Sequence, residues 1–252
     1  MSILVLPPTE QAIENIDEGR IREKKPVSLP FEERGIKGFS NLYYWCYAWS
    51  DDGGEYEVHS HKGFEILIYV IEGEIENFDP EKGSWLKMGA GEIQLIKSGS
   101  GLEHGVKFHP GARVIEIWFD PDLRTSLQKP PRYIYFEPDE FEVIERAGVQ
   151  IVDYLGDESP MILSAKSLIE RHDIRAGSHY TLDVPARHHL SGFVLSGSLE
   201  LDDQTVKAAD FFKVEDQDTV NVKATEDASV FIMHSPFELE YKSYIDQLQT
   251  SA

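Results

Sequence analysis

His59 and His61 stand one residue apart in the run HSHKGFE, and on a β-strand that spacing suits a metal ion. Residues i and i+2 of a strand share a face, so both imidazoles can reach the same ion. A third histidine, His104, follows the glycine-rich run KSGSG, at the head of another apolar segment. Returning antiparallel strands would bring it beside the first two. Three imidazoles with open positions left over suit iron, nickel, copper or zinc, and make a catalytic rather than a closed structural centre. Glu65, four residues after His61, is the candidate catalytic carboxylate. On an unbroken strand it would share the histidines' face, as a further ligand or as an acceptor for an imidazole N–H. An HxH pair alone is also compatible with an ordinary core or solvated pair. His109 lies beside Pro110-Gly111 and reads as a surface residue.

The elements that must position these groups are strands. Phe64–Val70 (FEILIYV), Ile75–Phe78, Ile93–Ile96 and Arg113–Phe119 (RVIEIWF) are rich in aromatic and β-branched residues. Glycine-rich turns separate them, as in a sandwich or barrel. The segment from Asp120 to Pro131 holds three prolines and reads as a linker. Strands resume at Tyr133–Tyr135 and Val149–Tyr154. A second series follows at Ser178–Leu182, Phe193–Leu195, Leu199–Leu201, Val220–Val222 and Ser229–Met233. The strand–glycine–strand passage around Gly73 is repeated around Gly197, which reads as an internal duplication. The expected fold is all-β: two barrels, an N-terminal one over residues 1–125 and a C-terminal one over 126–252. Phe237, Tyr241, Tyr244, Ile245 and Leu248 recur at helical spacing and predict a short tail helix packed on a barrel wall.

Three passages carry a family resemblance. The first is His59–Glu65 followed by Tyr69–Glu74. The second is Gly89–Gln94, and the third is Ser98–His104 (SGSGLEH). Together they resemble the pirin family of the cupin superfamily, specifically over residues 55–120. The resemblance implies two cupin barrels, with His59, His61 and His104 binding iron or another divalent metal. Fe(II) is favoured, and Ni, Cu or Zn are alternatives. Pirins also use a glutamate two residues after the last histidine; here that position is Val106, which cannot coordinate. The departure leaves three outcomes: a three-histidine site, rescue by Glu65 or Glu103, or a lost site. Some bacterial pirins resemble quercetinases, in which the metal binds the deprotonated substrate and a carboxylate takes its proton. Others resemble regulatory proteins.

The second half carries His172, His179, His188, His189 and His234 without an HxH pair followed by glutamate, so its barrel is expected to be degenerate as a metal site. Composition narrows the remaining choices. Asp and Glu number 45 against 24 Lys and Arg, a formal net charge of -21 over 252 residues. Such a surface repels phosphate backbones and anionic membranes, so no direct nucleic-acid or membrane partner is expected. The single cysteine, Cys46, lies among aromatic residues and allows no intrachain disulfide. No apolar run reaches the roughly 20 residues of a membrane span, and the N-terminus does not read as a signal peptide. A cytoplasmic location is expected. Three functions compete: a quercetinase-type dioxygenase acting on a small aromatic molecule, a non-enzymatic binding or regulatory protein, and a metal-assisted isomerase. Oligomeric state is not legible in the sequence.

Overall fold

The computed structural model describes residues 2–80, 82–156, 158–164 and 167–250. Its strands begin with β1 (Ser2–Leu6), β2 (Ala12–Ile16), β3 (Ile21–Ser28), β4 (Ile36–Lys37), β5 (Leu42–Trp49), β6 (Gly54–His61), β7 (Glu65–Glu72) and β8 (Glu74–Asp79). Next come β9 (Ser84–Gly89), β10 (Ile93–Lys97), β11 (Leu102–Phe108), β12 (Arg113–Phe119), a short helix α1 (Leu123–Ser126) and β13 (Arg132–Phe136). The series continues with β14 (Glu142–Arg146), β15 (Val149–Leu155), β16 (Leu168–Ile174), β17 (His179–Asp183) and β18 (His188–Ser196). It ends with β19 (Ser198–Leu201), β20 (Gln204–Lys207), β21 (Phe211–Glu215), β22 (Thr219–Ala224), β23 (Ala228–Pro236) and a helix, α2 (Tyr244–Thr250).

The chain divides into two compact units, one of residues 11–138 with 240–252, the other of 1–10 with 139–239. Each has a large and a small sheet. In the unit that begins at residue 11, the large sheet runs β13-β10-β7-β12-β5-β3-β2, with β4 beside β3, and the small one runs β6-β11-β8-β9. The other unit has β1-β21-β18-β23-β16-β15-β14 and β17-β22-β19-β20. Corresponding strands hold corresponding places in the two, as a duplication requires. Period-2 alternation supplies each core. Ile66, Ile68 and Val70 of β7 and Cys46 and Ala48 of β5 turn inward against Leu102, Val106 and Phe108 of β11. Leu190 and Val194 of β18 and Val230 and Ile232 of β23 do the same in the other unit.

The units do not divide at residue 125, because pairing rather than linker composition sets the boundary. β1 pairs antiparallel with β21, taking the first residues of the chain into the later unit. β13 pairs with β10, so the chain returns to the earlier sheet after the proline-rich segment. The tail helix is shorter than its spacing suggested and starts at Tyr244, leaving Phe237 and Tyr241 outside it. Asp120 holds its first turn, accepting from the Tyr244 N–H, and the Tyr241 hydroxyl donates to the Asp120 carbonyl.

Gly73 and Gly197 occupy the same tight turn in the two units, at φ of 76° and 75°. A Cβ on Gly197 would lie 2.2 Å from the Asp227 carbonyl oxygen and 2.7 Å from Ala228 Cα. The left-handed backbone and the close approach both demand glycine. Gly197→Ala should therefore cost on the order of 3 kcal/mol. Denaturant unfolding monitored by circular dichroism would read this as a lower midpoint at unchanged slope.

Candidate metal centre

The three histidines converge on the small sheet of the first unit, His61 and His104 buried and His59 exposed. His59 of β6 lies directly across from His104 of β11, and His61 across from Leu102. One ring nitrogen from each histidine lies within 4.8 Å of the others. Ring centroids are 4.6 Å apart for His59–His61, 5.4 Å for His59–His104 and 5.4 Å for His61–His104. The register shifts between His104 and Val106, where two residues of β6 face one of β11. The extra residue falls on β6, so β11 keeps its alternation, and Leu102, His104, Val106 and Phe108 all turn inward. Before β11 the chain turns through Ser98–Gly101. Ser98 Oγ donates to the Phe64 carbonyl at 2.7 Å, and Gly99 (φ 49°) lies so close to the Lys129 carbonyl that a Cβ would be 2.5 Å away.

These imidazoles suit a metal ion. His59 Nδ1 is 2.8 Å from the Glu57 carbonyl, which makes it the N–H donor and leaves Nε2 as a lone pair. This fixed tautomer is what a ligating histidine needs. Nε2 of His61 lies 2.9 Å from His59 Nε2, close enough for both nitrogens to reach one ion. Nδ1 of His104 is buried and meets no hydrogen-bond partner among the described residues. Burial, with His59 beside it, lowers the His61 pKa to about 4. Burial also holds His104 well below the usual imidazole range, with His61 and His59 adding to the effect. Both rings are neutral at physiological pH and keep lone pairs available. The Trp118 ring stands edge-on to His61 at 5.0 Å and walls off one side.

The carboxylates named from sequence do not join the cluster. Glu65 faces away from it. Phe64, Ile66 and Ile68 supply the inward row, and Glu65 instead pairs with Lys97 at 3.0 Å. Glu65 does not share the histidines' face because β6 ends at His61 and the chain turns at Gly63 (φ 88°) before β7 begins, which resets the face. Glu103 alternates out of β11 and is exposed. Val106 is 3% exposed and turned inward, an aliphatic group two residues from His104. His109 bonds Glu76 at 2.9 Å, outside the cluster. The Cys46 thiol is buried, and burial, reinforced by Glu23 and Glu116, pushes its pKa well above the usual range. That removes it as a nucleophile at neutral pH.

In the second unit both nitrogens of His172 are occupied, by the Tyr180 hydroxyl at 2.6 Å and by Glu170 at 2.8 Å. His188 Nδ1 lies 3.0 Å from the Ala186 carbonyl, the His189 ring packs on Phe237, and His179 is exposed. His234 is buried, with its Nδ1 unpartnered among the described residues. Where the first unit has its histidines, β17 and β22 carry Leu182, Val220 and Val222 inward. Among the described residues only His59, His61 and His104 gather as a potential metal-binding group of three.

Sequence reasoning missed Glu116. It sits in the middle of an apolar strand, RVIEIWF, and alternation from Val114 and Trp118 could have marked it as inward.

Comparison with known proteins agrees with this geometry. Residues 40–118 match the family model Pirin, and residues 152–234 match that of the quercetinase C-terminal cupin domain. A pirin-like protein of Caulobacter vibrioides is 26% identical over 219 residues, spanning 79% of this chain and 79% of its own. A quercetin 2,3-dioxygenase of Escherichia coli is 23% identical over 188 residues, spanning 73% and 78%. Among solved structures, the bacterial pirin YhhW of Escherichia coli in complex with nickel(II) superposes with a TM-score of 0.78 at 21% identity, covering 93% of this chain and 99% of that one. No helix among the described residues is long and apolar enough to cross a membrane. Two cupin units, each matched by its own model, and a histidine cluster able to bind metal place the chain in the pirin family of the cupin superfamily, as a bicupin homologous to quercetin 2,3-dioxygenases.

Proposed function

We propose that the chain is a metal-dependent dioxygenase of the quercetinase type, acting on a small hydroxylated aromatic molecule. The observation that carries this reading is the convergence of His59, His61 and His104. These three residues would hold the ion. Fe(II) is our preference, while imidazole donors equally suit Ni(II), Cu(II) and Zn(II), and nickel occupies the related YhhW structure. A bound divalent ion supplies Lewis-acid stabilisation of an anionic ligand oxygen. The protein's own part is to present neutral imidazoles, to limit water with Trp118, and to line the barrel with apolar groups such as Leu102 and Val106. We assign the chemistry to the first unit and a scaffold role to the second. The acidic composition fits a protein with a small-molecule ligand and without a direct nucleic-acid or membrane partner, and we keep a cytoplasmic location.

The direct test is oxygen consumption by the Fe(II)- and Ni(II)-loaded protein supplied with quercetin. Oxygen uptake matched to loss of the flavonol absorbance is the expected result. A second reading, ligand binding without turnover, is favoured by Val106, which supplies no carboxylate beside the histidines. Tight flavonol binding with no oxygen uptake would establish it in place of the first.

A further inference from the structure

The wall formed by β12 carries a carboxylate that no metal-ligand motif marks. Val114, Glu116 and Trp118 alternate onto the inner face of the first unit, where Val114 lies in the apolar core and Trp118 packs against it. By register Glu116 sits between Cys46 of β5 and Ile68 of β7. The indole N–H of Trp118 donates to Glu116 Oε1, and the same indole stands edge-on to His61. Trp118 thus touches both this carboxylate and the histidine cluster. Glu116 is partly buried among these groups.

The groups around it are already engaged. Glu23 of β3 accepts from the Tyr44 hydroxyl at 3.2 Å and from the Tyr56 hydroxyl. Cys46 Sγ lies 3.9 Å from Glu23, and Lys25 Nζ 4.0 Å from it. β6 and β11 contribute the histidines, and β7 contributes apolar Ile66 and Ile68. Among the described residues Glu116 accepts a single hydrogen bond, from Trp118.

Three neutral imidazoles bring no negative charge to a divalent ion, and Glu65 and Glu103 point away from it. A hydroxylated ligand that binds there as an anion must leave its proton with some other base. We propose that Glu116 is a catalytic residue of this site, the carboxylate that receives the proton a hydroxylated aromatic ligand gives up on binding at the histidines. This rests on the function proposed above. The ligand's O–H bond breaks, an O–H bond forms on the Glu116 carboxylate, and the electron pair stays on the ligand oxygen. Nothing is oxidised in this step. Burial, opposed by the Trp118 N–H and aided by the charge of Glu23, raises the Glu116 pKa to about 7. Such a group can take and return a proton near neutral pH.

The test is calorimetry of 3-hydroxyflavone, a flavonol with one hydroxyl, binding to the Ni(II)-loaded full-length chain. Wild type and Glu116→Gln are compared at about pH 7.5, in buffers of different ionisation enthalpy, which counts the protons released. Wild type should release almost none, because the proton stays on Glu116. Glu116→Gln should release about one per ligand, and its affinity should rise about tenfold per pH unit. Metal content should be the same in both. Equal proton release would overturn the role of Glu116 while leaving the flavonol reading intact. No flavonol binding by wild type would overturn both. Should Glu116→Gln fail to fold, infrared difference spectra of wild type decide the matter. Flavonol binding should produce a carboxylic-acid carbonyl band, and its absence would refute the assignment.

Discussion

Replacing His61 by alanine should strip the protein of most of its divalent metal, whereas His188→Ala should leave the metal content at the wild-type level. His61 is 7% exposed and its Nε2 faces His59 across 2.9 Å, so its loss removes one of three donors and leaves two that cannot enclose an ion. His188 lies in the other unit, with its Nδ1 turned to the Ala186 carbonyl. Metal analysis of protein purified without an affinity tag reads the difference directly. Thermal melts add a second measure. A metal that binds only the folded state at 100 times its dissociation constant stabilises by about 2.7 kcal/mol. Added metal should therefore raise the melting temperature of wild type and of His188→Ala, but not of His61→Ala. Comparing melts with and without metal cancels the packing lost when the imidazole no longer meets Trp118. Equal metal content in wild type and His61→Ala would refute the centre.

The opposite effect is expected at Val106, where Val106→Glu should tighten metal binding by at least about tenfold. The side chain lies in the inward row of β11, two residues beyond His104. Three imidazoles leave a divalent charge unneutralised, and a carboxylate there would supply both a donor atom and a negative charge. Without metal the same carboxylate is a buried group lacking a partner, costing about 1–3 kcal/mol. The variant should therefore melt below wild type when metal-free and recover most of the difference when Ni(II) or Zn(II) is added. Titration calorimetry with either ion measures the affinity. Unchanged affinity would mean that position 106 does not face the ion, and destabilisation without metal rescue would argue against a metal centre.

Both variants concern positions that were legible in the sequence, because each inference stayed within one continuous strand. His59 and His61 share β6, and His104 and Val106 share β11, where period-2 alternation holds. Glu65 was misplaced because its offset from His61 was counted across a turn. Once the chain reverses at Gly63, counting residues no longer says which face a side chain takes. The strand–glycine–strand repeat was visible because Gly73 and Gly197 both need a left-handed backbone. The pairing of β1 with β21 was not visible, since no local signal in Ser2–Leu6 names a partner some two hundred residues away. Glu116 was hidden for another reason: a charged residue within an apolar strand has no role until the opposite wall is known.

That first strand also bears on the order in which the chain can fold. Residues 1–10 are made some two hundred residues ahead of their partner strand, β21. Residues 240–252, made after the strands of the other unit, belong to the unit whose remaining strands are made earlier. Neither half is thus a contiguous stretch of sequence, and each completes itself with a terminus contributed from beyond the other. A fragment starting at residue 126 would expose β21 as a bare sheet edge ready to pair with a neighbouring molecule. With β1 in place that edge is closed, so the risk of aggregation is greatest during synthesis, before β1 and β21 have met.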